Sequence, residues 1–118
     1  MYVLKFTGDA VADVKTLIPK HLKGPLQKVL LEKVAIDPVG CSHELHQDLA
    51  GYHSFTWQEY RVVYRVFADL KAVAIVGVGL RSAQSTENVY RKLVALARTG
   101  KLAQGVLFSL RGFTKIAP

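Results

Sequence analysis

Tyr60-Arg61-Val62-Val63-Tyr64-Arg65-Val66-Phe67, a break at Ala68-Asp69-Leu70-Lys71, and then Val73-Ala74-Ile75-Val76-Gly77-Val78-Gly79-Leu80-Arg81 decide the fold. Both runs are dense in β-branched and aromatic side chains, which suit a pleated and packed surface. The break between them is turn-like, so together they predict two strands of an antiparallel hairpin. Side chains alternate along a strand. Val62, Tyr64 and Val66 therefore share one face, and Arg61, Val63, Arg65 and Phe67 the other. Two guanidinium groups stand on one face of the sheet, with Arg81 where the next strand ends. A guanidinium is costly to bury unpaired, and its planar fork matches phosphate oxygens, so this face predicts a surface for a phosphodiester backbone.

Upstream of the hairpin, alternation over Tyr2–Phe6 predicts a first strand. Asp9 reads as the N-cap of a helix from about Ala10, carrying Val11, Val14, Leu17 and Ile18 until Pro19 breaks it. A second helix is expected to open near Gly24-Pro25, with Leu22, Leu26, Val29, Leu30 and Val34 as its apolar stripe and Asp37-Pro38 as its end. Residues 40–48 read as polar loop. His53–Trp57 reads as a strand closed by a tight turn at Gln58-Glu59. Downstream, 82–86 reads as a loop and Glu87–Ala97 as a helix burying Val89, Leu93 and Leu96, stopped by Thr99-Gly100. Val106–Leu110 in the tail reads as a late strand or a docked apolar arm. Gly77 and Gly79 lie inside a strand, where glycine permits close approach of another backbone, and no helix opens directly after them as a phosphate loop would require.

The fold class expected is α+β. It has a small antiparallel-cored sheet of about four strands, an N-terminal helical hairpin packed on one face, and a C-terminal helix. The other sheet face is expected to be open and to carry the arginines. Residues 1–118 are expected to form a single domain, with a core over 2–97 and a basic tail over 98–118.

The chain has 118 residues, half of them hydrophobic, with 16 Lys and Arg against 9 Asp and Glu, a net charge of +7. Such a chain can build a core, and its basicity predicts a polyanionic or acidic partner. After Glu87 come Arg91, Lys92, Arg98, Lys101, Arg111 and Lys115 with no carboxylate among them. One cysteine excludes an internal disulfide and suits a reducing cytoplasm. No run approaches the roughly 18 apolar residues of a membrane helix, and Met1–Phe6 lacks a signal-peptide layout. A cytoplasmic protein with no membrane role is expected.

Four pieces then carry a family resemblance: Asp48-Leu49-Ala50-Gly51 before the sheet, Tyr60–Val66, Val78-Gly79-Leu80-Arg81 at a strand end, and Asn88-Val89-Tyr90 at the last helix. In this order and spacing the chain resembles the RelE/ParE superfamily of type II toxins, the RelE-like branch more closely, over Tyr2 to Leu96. The resemblance implies a toxin neutralised by a small acidic antitoxin, as a toxin–antitoxin hetero-oligomer. It implies an endoribonuclease that cleaves mRNA at the ribosome without metal or cofactor, by attack of the 2′-hydroxyl on the scissile phosphate. By position it implies Arg61 and Arg81 as the groups that neutralise that phosphate, and Tyr90 as the aromatic that orients the substrate. Two alternatives belong to the same superfamily: a ParE-like protein that inhibits DNA gyrase, and a degenerate toxin that only binds its antitoxin. RelE itself carries a lysine pair on the strand before the arginine strand, other superfamily members use histidine or glutamate in that role, and here Tyr52-His53-Ser54-Phe55-Thr56 has no lysine.

Metal-free RNA cleavage needs a base, cations for the phosphorane, and an acid for the leaving oxygen. His53 is the expected base, or else an exposed bystander, and Glu59 is the second candidate. Arg65 serves either phosphate or a contact to the antitoxin or the C-terminus. Arg91 and Lys92 join Arg65 as expected RNA-phosphate ligands, and Tyr90 is either functional or plain core. Cys41, His43 and His46 match no strong zinc spacing, so no metal site is expected.

Overall fold

The computed structural model describes residues 1–81 and 83–111, with the backbone alone for 83–88. Elements run β1 (Val3–Phe6), α1 (Gly8–Leu17), α2 (Lys20–Val29) continued by a π-turn (Leu30–Val34), β2 (His43–Glu44), a 3₁₀ turn (Gln47–Leu49), β3 (Tyr52–Trp57), β4 (Tyr60–Phe67), β5 (Ala72–Leu80), α3 (Ala83–Arg98) and α4 (Lys101–Ser109). The sheet has five strands in the order β1-β5-β4-β3-β2. β1 runs parallel to β5, and the other neighbours are antiparallel. The α+β class and the antiparallel core are as expected. The additional strand is the two-residue β2, drawn from the stretch that composition marks as loop.

Local boundaries shift for physical reasons. Thr7, not Asp9, caps α1: its Oγ1 accepts the Ala10 N–H at 3.3 Å. α2 opens directly after Pro19 and carries Pro25 inside it. The Pro25 ring lies on an exposed side of the helix, and the lost backbone donor there is offset by the burial of Leu26 next to it. α3 begins at Ala83, so residues 83–86, which read as loop, are helical; Ser82 lies outside the described residues. The tail forms a helix rather than a strand. Leu102, Val106 and Leu110, spaced by four, are buried, which is helical periodicity. Residues 112–118, with Lys115, lie outside the described residues. Among the described residues no helix is long and apolar enough to cross a membrane.

The face division of β4 is the expected one. Val62 and Tyr64 pack with Ala10, Ile18, Leu26, Leu30 and Val34 from the helical hairpin, and Val66 joins them partly buried. The opposite face is not open, which corrects the sequence expectation. Val63, Ala72, Ala74 and Val76 lie beneath Leu93 of α3 and Leu102, Val106 and Leu110 around α4. The sheet is thus covered by helices on both sides, and β5 is buried along nearly its whole length. That explains its unbroken apolar run, since a strand covered on both faces has no reason to alternate with polar residues.

An irregularity in β5 keeps both faces apolar. Val63 pairs with Gly77 but Tyr64 pairs with Ile75, so Val76 is an extra residue in the ladder. This bulge changes the parity of β5: Val73 and Ile75 before it and Val78 after it all face the hairpin helices. Gly77 and Gly79 then fall under α3. A Cβ on Gly79 would occupy the space held by the Val89 side chain, and one on Gly77 would touch Leu93 at 3.4 Å. Past the end of β1 the outer edge of β5 has no strand partner, and Asp13 of α1 takes its place. Asp13 Oδ2 accepts the Val78 N–H at 3.0 Å, and Oδ1 accepts from Lys92 Nζ of α3 at 3.3 Å.

Two outcomes follow from this packing. Gly79→Val should destabilise the protein by roughly 1–3 kcal/mol in chemical denaturation, because α3 must lift to admit the side chain. Tyr64 is fully buried and donates its hydroxyl to the Pro38 carbonyl at 2.6 Å. Burial raises its phenol well above the usual tyrosine range. The unfolded chain then loses this proton first as pH rises, so stability should fall above about pH 10, the unfolded tyrosine value. Tyr64→Phe should cost about 1 kcal/mol at neutral pH and flatten that alkaline loss, both readable from denaturation midpoints across pH.

Candidate functional site

Arg61 is the centre of the candidate site. It pairs with Thr56 on β3 and with Gly79 on β5, so these three positions share the face that α3 covers. The space above Gly79, which α3 uses to approach, borders the Arg61 side chain. Arg61 is partly buried there, and its Nε is fully buried with no hydrogen-bond acceptor among the described residues. A buried donor without an acceptor costs on the order of 1–3 kcal/mol, which a fold tolerates where an acceptor arrives with a ligand.

Arg81 follows directly on β5. Its N–H bonds to the Glu59 carbonyl at 2.5 Å, which ties the end of β5 to the β3–β4 turn. Strand alternation counted from Gly79 puts Arg81 on the face of Arg61, one diagonal step away. Arg81 is exposed and lines a cavity of about 480 Å³ with Gln58, Glu59 and Leu80. Tyr90 of α3 reaches the same sheet face: its hydroxyl donates to Ser54 Oγ at 3.2 Å, and Ser54 is buried. Arg61, Tyr90 and, by register, Arg81 therefore lie on one face of the sheet.

The remaining expected residues are not brought to this centre. His53 pairs with Tyr64 and lies on the hairpin-facing side, its ring stacked on that of Tyr64 at 6.1 Å and its Nδ1 3.2 Å from Ser42 Oγ. The sheet itself separates it from Arg61. The β3 residues on the Arg61 face are Tyr52, Ser54 and Thr56, none of them basic. Arg65 shares that face but stands four residues along β4, about 13 Å away, with buried Val63 and Leu93 between. Its guanidinium lies over the rings of Tyr52 and Phe67, at 5.6 and 5.3 Å from their centres. Lys92 is committed to Asp13, and Arg91 is exposed on α3. Cys41, His43 and His46 form no metal-holding group, and none occurs among the described residues.

Ser54 and Thr56 are the site positions that sequence reasoning passed over. The signal was there in the turn. A two-residue connection at Gln58-Glu59 pairs Trp57 with Tyr60 and hence Thr56 with Arg61 and His53 with Tyr64. Counting from the turn, rather than ranking residue types along β3, assigns the faces.

Comparison with solved structures places this architecture. The toxin–antitoxin complex RelBE2 of Mycobacterium tuberculosis matches at 26% identity and TM-score 0.63, over 68% of this chain and 98% of that one. The isolated RelE toxin of Escherichia coli matches at 25% identity and TM-score 0.56, over 78% and 99%. A YoeB/ParE toxin from Agrobacterium tumefaciens shares the fold at 21% identity and TM-score 0.54, over 68% and 99%. No protein-family model and no curated protein matches the chain. The likenesses at 25% and 26% identity support the RelE/ParE toxin superfamily for this chain.

The orphaned Nε gives a direct test of whether Arg61 is held for function or for stability. Arg61→Leu keeps the apolar stem and removes the unsatisfied donor. It should leave the unfolding midpoint unchanged or raise it, while abolishing toxicity. A loss of several kcal/mol in denaturation would instead make Arg61 part of the folding machinery.

Proposed function

We propose that this protein is the toxin of a type II toxin–antitoxin pair and that its Arg61–Arg81–Tyr90 face binds ribosome-bound mRNA and cleaves it. The observation that carries the proposal is the buried Nε of Arg61, without an acceptor among the described residues, on the same face as Arg81. Phosphate is the acceptor that two neighbouring guanidinium groups suit best. In attack by the 2′-hydroxyl the scissile phosphate gains negative charge, and preorganised guanidinium groups favour that state over the ground state. Tyr90, held by Ser54, stands at the edge of this face as a surface on which a base stacks. The toxin role is supported by the neighbours, which include RelE and the RelBE2 complex.

The partner we propose is a small acidic antitoxin. Between β1 and the helical hairpin lies a groove of about 750 Å³, lined by Val3, Phe6, Val11, Leu26 and Leu30 with Lys15 and Lys23 among its walls. Val3, Phe6 and Val11 are exposed. Beyond β1 the sheet has no further strand among the described residues. An apolar groove with lysines beside it fits an acidic amphipathic segment.

A second reading is favoured by one observation: His53 faces away from Arg61, and the β3 positions beside Arg61 are Ser54 and Thr56. On that reading the same basic face grips a target without cutting RNA, as a ParE-like inhibitor of gyrase would. A purified-ribosome cleavage assay separates the two. On the nuclease reading Arg81→Ala should slow cleavage on the order of 10²-fold or more, Arg81→Lys should recover only part of that because ammonium lacks the fork, and EDTA should have no effect. Intact mRNA with the wild-type protein, together with arrested gyrase supercoiling, would establish the second reading.

A further inference from the structure

We infer that Glu59 is the group that takes the proton from the attacking 2′-hydroxyl, an inference that rests on the nuclease reading. The chemistry requires a base within one ribose of the phosphate held by Arg61 and Arg81. His53 is on the far face of the sheet, and Ser54 and Thr56 carry no group that is basic at neutral pH. Lys92 is paired with Asp13 on the β5 edge. Glu59 lies in the β3–β4 turn, two residues before Arg61, a Cα separation of about 7 Å along an extended chain. It lines the same 480 Å³ cavity as Arg81 and is the one carboxylate there among the described residues.

The local structure holds Glu59 in place. Gln58 adopts a positive φ of 52° in the two-residue turn, and the Glu59 carbonyl accepts the Arg81 N–H. The residue just after β5 and the residue just before β4 are thus tied where the cation and the carboxylate meet the same space. Glu59 is exposed, and among the described residues its carboxylate makes no ion pair or hydrogen bond, so it is not spent on the fold.

The Glu59 carboxylate takes the 2′-hydroxyl proton as the 2′-oxygen forms a bond to phosphorus. The bond from phosphorus to the 5′-oxygen breaks, and that oxygen takes a proton from water. The hydroxide left behind recovers the proton from Glu59. The products are a 2′,3′-cyclic phosphate and a 5′-hydroxyl, and the arginines hold the charge in between.

The test uses the full chain with ribosome-bound mRNA under single-turnover conditions. Glu59→Gln should lower the cleavage rate by about 10²-fold or more and leave affinity for a 2′-deoxy, uncleavable mRNA unchanged. Glu59→Asp should keep part of the rate. A substrate with sulfur in place of the 5′-bridging oxygen needs no proton on its leaving group, and Glu59→Gln should remain equally slow on it. Wild-type rate in folded Glu59→Gln overturns the inference, as does its rescue by the sulfur substrate, which would mark Glu59 as the acid. Wild-type protein that leaves ribosome-bound mRNA intact overturns the nuclease reading itself, an outcome distinct from either.

Discussion

The pairing of β4 with β5 is the constraint on which everything else depends. Both strands lie at the middle of the sheet, and both are covered by helices on both faces. A single extra residue, Val76, shifts the parity of β5 halfway along. Without it, Val78 would turn toward α3 and Gly77 toward the hairpin helices, and neither layer would fit. With it, the hairpin side receives Val73, Ile75 and Val78, and the α3 side receives two glycines. Those glycines let α3 descend until Val89 fills the space above Gly79, directly beside Arg61. The bulge, the glycines and the position of the arginine are one arrangement.

Charge is distributed by the same geometry. The chain carries a net charge of +7, yet its cations do different work. Lys92 and Asp13 close the open edge of β5, where Asp13 also satisfies the Val78 N–H. Arg98 reaches Asp48, fastening α3 to the 3₁₀ turn before β3. Arg65 rests on two aromatic rings at the far end of β4. Arg61 differs from these in lacking an acceptor for a buried nitrogen. Among the described residues it is the one buried side-chain nitrogen or oxygen left without a partner, and such unmet groups are where ligands bind.

The second helical layer bears on how the basic face is used. A bare sheet would offer its whole surface to RNA. Here Leu93 and the stripe Leu102–Val106–Leu110 take up the half that contains Val63 and Arg65. What remains is the end of the sheet where β3 turns into β4 and β5 stops, with Arg61, Arg81, Glu59 and Tyr90 around it. On the proposed nuclease reading, local access of this kind suits a single phosphate step rather than an extended groove.

Much of this was written in local sequence. The β-branched runs flanking 68–71 dictate the central hairpin, and alternation along β4 separates Val62 and Tyr64 from Arg61 and Val63, because a pleated strand admits no other division of faces. The apolar spacing in 10–34 calls for two helices, and the strand glycines call for a close neighbour. What local sequence left undecided are the facts that depend on contacts between distant segments. The covering of the arginine-bearing face came from a tail whose apolar residues suit a strand or a helix equally until Ala72 and Ala74 offer a shallow seat. The bulge at Val76 has no signature of its own, since valine suits either parity. The face on which His53 lies follows from pairing across the turn, so only the register of β3 against β4 could assign it to Tyr64 rather than to Arg61. Composition names the residues able to do chemistry; the hydrogen-bonded register of the sheet decides which of them meet.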